Sequence, residues 1–108
     1  LAKVYYVRAV LHHTPRGQHI EALADLDQVL KLEPGNSIAL QARSKTRYAL
    51  EDYDGAVVDL SVLIERFPGH APFWLARSRA WEAAGVPGKA RADRQKALSL
   101  DPALGIKP

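Results

Sequence analysis

The residues able to do chemistry in this sequence are few, and their spacing settles most of the readings. Four histidines are present, and His12, His13 and His19 lie near one another, as a metal site would need. Successive residues on a helix point about 100° apart, so His12 and His13 do not converge on one ion. Without that geometry no metal site is expected, and His70 falls in a turn. Asp52-Tyr53-Asp54-Gly55 looks like the opening of a calcium loop, but the Glu required at position 63 is replaced by Leu63. The plainer reading is a helix start, where acidic groups meet the positive end of the dipole. Asp25 and Asp27 are two residues apart and diverge on a helix. With no Cys in the chain, disulfides, thiolate zinc sites and cysteine nucleophiles are excluded. No phosphate loop, dinucleotide glycine fingerprint or His-Glu-x-x-His helix occurs. No catalytic residue, metal or cofactor is expected, and the chain reads as non-enzymatic.

What does recur is an arginine followed by a small residue: Arg8-Ala9, Arg43-Ser44 and Arg77-Ser78. Each precedes an aspartate, and Asp25, Asp59 and Asp93 are spaced 34 apart. The same spacing of 34 relates Ala22, Ala56 and Ala90, and again Pro34, Pro68 and Pro102. Three markers at one period define an internal repeat. Each unit reads as two helices, the first over 2–13, 37–50 and 71–84, the second over 18–32, 53–66 and 87–99. The helical reading rests on apolar steps of three and four, as in Leu23, Leu26, Leu30 and Val57, Leu60, Ile64. Pro15 with Gly17, Pro34-Gly35, Pro68-Gly69, Gly85 with Pro87, and Pro102 punctuate the units. Alanine at 22, 56 and 90 marks where two helices approach closely. Each Arg is expected to pair with its Asp across the helical hairpin and fix its geometry. The alternative is that these arginines grip an acidic ligand.

Length and composition agree with one folded domain of 108 residues, 47% hydrophobic and 25% charged. No apolar run approaches the roughly 20 residues needed to span a bilayer. The chain reads as soluble, with the cytoplasm favoured, while the absence of Cys leaves the redox compartment undecided. It starts at Leu1 and holds no Met, so it is expected to be a processed or excised piece. The net charge of +3 is local: residues 71–108 carry 7 basic against 3 acidic side chains, while the two earlier thirds nearly balance. Lys89, Arg91, Arg94 and Lys96 supply that basic end. A nucleic-acid binder presents a wider basic face interleaved with aromatics, so a solvated helix face is the preferred reading.

The pattern resembles the tetratricopeptide repeat (TPR) family over nearly the whole chain. The third unit carries it in Trp74, Ser78, Trp81, Ala90, Arg94 and Pro102. The second has Leu40, Ser44, Arg47, Tyr53, Ala56, Leu60 and Pro68, and the first Tyr5, Ala9, His12, Ala22, Leu26 and Pro34. His12 and His19 then stand at aromatic positions, where packing explains them. The resemblance implies an all-α fold: three tandem helix-turn-helix repeats, about 1–36, 37–70 and 71–104, in a right-handed superhelical solenoid with a short C-terminal tail. Two departures stand out. Tyr5 to Ala22 spans 17 residues where the later units have 16, which places one extra residue within Thr14-Pro15-Arg16-Gly17. Arg94 replaces a bulky apolar group, so the helix around it is expected to be a solvated cap. Val4, Val7 and Leu11, by contrast, would face a preceding repeat or a second copy.

By the resemblance, the concave face holds a peptide or helix of a partner protein. The matching groove positions are Tyr6, Val10 and His13, then Gln41, Lys45 and Tyr48, then Leu75, Arg79 and Glu82. Lys45 and Arg79 are expected to draw acidic groups, with Tyr6, Tyr48 and Leu75 giving apolar contact. Members that clamp the carboxylates of chaperone tails need Lys, Asn and Arg where this chain has Tyr6, Val10, Ala42, Pro72 and Ala76, so that clamp is not expected. The expectation is thus a protein-interaction module. Its rivals are self-assembly through the apolar N-terminal edge, nucleic-acid binding by the basic end, and an accessory segment of a larger enzyme.

Overall fold

In the computed structural model, residues 2–4 and 18–105 are described, and every regular element among them is helical. Residues 2–4 are helical, and five longer helices follow: α1 His19–Leu32, α2 Ser37–Ala49, α3 Tyr53–Arg66, α4 Ala71–Ala83 and α5 Pro87–Leu100. A short 3₁₀ turn, Pro102–Gly105, ends the described chain. The bounds fall within about a residue of those read from the sequence, since proline and glycine leave the helix few ways to continue. Each helix packs chiefly on the next one in sequence, which is the layout of stacked helical hairpins.

The apolar steps along α1 and α3 become the core. Leu26, Val29 and Leu30 of α1 meet Ala39 and Leu40 of α2, and Leu60, Leu63 and Ile64 of α3 continue the cluster to Phe73 of α4. Burying each such large side chain stabilises the fold by about 1.5–3 kcal/mol. Ala22, Ala56 and Ala90 are all buried, as close helix approach requires. Ser44 and Ser78, the small residues after the repeated arginines, are also buried. Their hydroxyls donate to the carbonyls of Gln41 and Leu75, at 2.7 and 2.6 Å, so neither is left unpaired.

The turns repeat as closely as the helices. After α2, the amide of Asp52 donates to Arg47 O and that of Glu51 to Tyr48 O; after α4, Val86 donates to Trp81 O and Gly85 to Glu82 O. This is one C-terminal capping motif, with its left-handed residue at Glu51 (φ 64°) in one copy and Gly85 (φ 82°) in the other. Asn36 and Asp52 then cap α2 and α3, accepting from Ala39 N and Gly55 N, each at 3.0 Å. Asp52-Tyr53-Asp54-Gly55 is therefore a helix start, and Leu63 is fully buried in the core. The extra residue within 14–17, and the edge residues Val7 and Leu11, lie outside the described residues.

Candidate functional site

The repeated arginines build a polar spine between the helices. Arg43 Nη2 and Nε bind the two oxygens of Asp59 at 2.7 and 3.0 Å, and Arg77 binds Asp93 in the same two-pronged way at 2.8 and 2.7 Å. Both expected cross-hairpin pairs are present; the third, from Arg8, lies outside the described residues. The Asp59 hydrogen bond, opposed by desolvation, raises the pKa of Arg43 above its ordinary value; the Asp59 charge and Asp27 add to the rise. Each guanidinium also reaches backward. Arg43 Nη1 donates to Asp27 at 3.0 Å and Arg77 Nη1 to Ser61 at 3.1 Å. Sequence reading missed these backward bonds, although a polar residue stands 16 before each arginine just as an aspartate stands 16 after it.

Arg47, one turn beyond Arg43, adds a third bond to Asp59 at 3.2 Å. With Asp52 it packs around Gly55 so closely that a Cβ there would lie 2.7 Å from Asp52 Cγ and 2.9 Å from Arg47 Cδ. One repeat later Trp81 occupies the place of Arg47 and Lys89 that of Gly55, with Lys89 Nζ 4.6 Å from the Trp81 ring centre. Trp74 is flanked by Arg77 at 5.1 Å and Lys96 at 5.8 Å, and its Nε1 donates to Pro68 O at 2.8 Å. Two of the four cations of the basic end thus lie over tryptophan rings, while Arg91 and Arg94 are exposed.

Of the nine groove positions expected from the sequence, Tyr6, Val10 and His13 lie outside the described residues. Lys45, Tyr48 and Arg79 come together around one cavity of about 280 Å³ between α2 and α4. Ser44, Ala56, Leu60 and Ala76 complete its lining, and its walls are largely apolar. Lys45 and Arg79 are exposed, one repeat apart, and neither makes an ion pair among the described residues. Tyr48 is 41% exposed, and its ring stands edge-on to Tyr53 at 5.1 Å, which fixes one wall. Gln41 is drawn instead into a separate recess of about 230 Å³ with Ser37, Phe67, His70 and Phe73. Leu75 is half-buried and Glu82 exposed, and neither lines these cavities. The Phe67–His70–Phe73 cluster was not singled out by sequence; aromatics bracketing the Pro68-Gly69 turn were its signal.

Among the described residues no group of three or more His, Cys, Asp or Glu is placed to hold a metal. No described helix is long and apolar enough to cross a membrane. No protein-family profile and no curated protein sequence matches the chain. Solved structures do. The crystal structure of MamA protein superposes with a TM-score of 0.85 at 19% identity over 99% of this chain, which spans 61% of the length of that one. The first TPR of Spaghetti (RPAP3), solved bound to the HSP90 peptide SRMEEVD, gives 0.82 at 19% identity over 94% of this chain and 79% of that one. The all-helical hairpins, the 34-residue register of their polar spine and these superpositions together establish that the chain has the tetratricopeptide repeat fold.

Proposed function

We propose that this chain is a non-enzymatic interaction module of three repeats that docks a peptide or helix of a partner protein along its first helices. The cavity uniting Lys45, Tyr48 and Arg79 carries the reading: apolar walls offer contact, and two rim cations that make no ion pair among the described residues attract acidic groups. Leu75 extends the apolar surface along α4, and Tyr6, Val10 and His13 would extend it on the first unit. The same fold holding an HSP90 peptide with two Glu and one Asp supports a peptide as ligand. Ala42, Pro72 and Ala76 stand where a carboxylate clamp needs Asn, Lys and Arg, so a chaperone tail gripped in that way is not the proposed ligand.

The test is a pull-down from lysate, quantified by mass spectrometry, of the native chain against the Lys45→Glu/Arg79→Glu variant. A partner lost from the variant, with helical circular dichroism unchanged, is the expected result; identical captures would remove the groove as the working surface. A second reading, self-assembly, is favoured by Val4 at the N-terminal edge, which is 63% exposed. It requires a mass that rises with concentration in light scattering, and a monomer at high concentration eliminates it.

A further inference from the structure

The cavity between α2 and α4 combines two properties that a merely attractive basic surface would not have. Its lining includes an aliphatic part in which two of the three residues are small: Ala56, Leu60 and Ala76. Its rim is cationic and uncommitted. Arg43, Arg47 and Arg77 of the same two helices are all tied to aspartates. Lys45 and Arg79, at equivalent places one repeat apart, hold no such partner among the described residues. At about 280 Å³ the cavity lies just below the usual range of small-molecule sites, about 300–1,000 Å³. It suits one inserted side chain with its flanking backbone better than a whole ligand.

We infer that the preferred occupant is an acidic peptide segment bearing one aliphatic anchor, Leu or Ile, which enters between Ala56, Leu60 and Ala76 while flanking carboxylates meet Lys45 and Arg79. The inference rests on the groove reading above and adds to it the aliphatic anchor and the cavity that receives it. Charge complementarity selects the flanks: a basic flank would face two cations that make no ion pair among the described residues. Size selects the anchor. Alanine would leave the floor wet, and a charged anchor would lose its hydration among Ala56, Leu60 and Ala76, which offer it no side-chain partner. Tyr48, held by Tyr53, supplies a fixed wall against which the anchor packs, so little ordering is required on the protein side.

The experiment uses the full chain and four fluorescein-labelled peptides, with sequences GEELEEG, GEEAEEG, GQQLQQG and GQQAQQG, titrated by anisotropy at low salt. GEELEEG is expected to bind about tenfold or more tighter than GEEAEEG, the discrimination an aliphatic pocket gives for lost methylenes. Ala76→Leu, which fills the floor without touching either cation, should abolish that preference while retaining the preference for GEEAEEG over a neutral peptide of the same centre. Should Ala76→Leu lose helicity, Ala76→Val serves the same purpose with a smaller insertion. Lys45→Glu/Arg79→Glu should remove the preference of GEELEEG over GQQLQQG. Equal binding of the Leu and Ala peptides, survival of the Leu preference in the filled variant, or no saturable binding of GEELEEG overturns the anchor. Unchanged binding of the acidic peptides by the charge-reversed variant overturns the groove reading itself, so the two failures are distinct.

Discussion

α3 and α5 occupy the same place in successive hairpins, yet they are finished differently. α3 buries Ala56, Val57, Asp59, Leu60, Leu63 and Ile64, whereas α5 buries only Ala90, Asp93 and Ala97. Position by position, Val57 becomes Arg91, Leu60 becomes Arg94 and Leu63 becomes Ala97. The helix packed from both sides spends its bulk inward; the one with an open outer face carries guanidinium groups there instead. The polar spine follows the same division. Asp59, almost wholly buried, accepts from Arg43 twice and from Arg47 once, while Asp93 has the paired prongs of Arg77. Where Arg47 would recur, Trp81 stands under Lys89. A carboxylate surrounded by more protein needs more donors to replace its lost water, and the sequence supplies them where the packing is deepest.

Paired substitutions break this comparison most directly at the aspartates. Asp59→Ala leaves Arg43 and Arg47 short of their main acceptor and should cost about 3–5 kcal/mol, against roughly half that for Asp93→Ala. Urea denaturation of the two variants measures the difference, and equal losses would mean that the two spines are equivalent. Next comes the core. Leu63→Ala empties a fully buried site at a cost of about 2–5 kcal/mol, whereas Leu98→Ala, at a half-buried site facing Gly105, should cost less than half as much. Thermal melts followed at 222 nm check it. The smallest effect has opposite signs in the two helices. Gly88 has nothing within 4 Å of an added Cβ, so Gly88→Ala should stabilise α5 by about 0.5–1 kcal/mol. Gly55→Ala drives a methyl group into the capping carboxylate of Asp52 and should lose about 1 kcal/mol. A gain at both glycines would show that the crowding at 55 relaxes freely.

Much of this was legible in the sequence because it repeats. Helix bounds followed proline and glycine, and Arg43–Asp59 and Arg77–Asp93 followed from one register. The backward bonds to Asp27 and Ser61 were harder to read, because their acceptors differ in type between units and no shared letter marks them. The cavity was harder still. The family resemblance put Lys45, Tyr48 and Arg79 on one face, but the depth behind them comes from Ala56 and Leu60 of another helix. Gln41 sits on the expected helix and was claimed by an aromatic recess, since Phe67 and Phe73 are packing features of one turn and have no counterpart in the others. The capping of α4 differs for the same reason: His70, at the place of Asn36, makes no capping hydrogen bond from its side chain.

Because each of Arg43 and Arg77 grips one residue 16 positions behind and another 16 ahead, a unit shares its polar spine with the unit before it. A cut at Pro34-Gly35 or Pro68-Gly69 keeps the forward grip and severs the backward one. Shuffling still sets an arginine at each junction: unit 71–104 spliced behind 1–36 would set Arg77 against Asp27, and a duplicated 37–70 would set Arg43 against Ser61. The junction is thus ionic where Asp27 is the backward acceptor and neutral where Ser61 is, and in any recombination of this array that difference travels with the preceding unit.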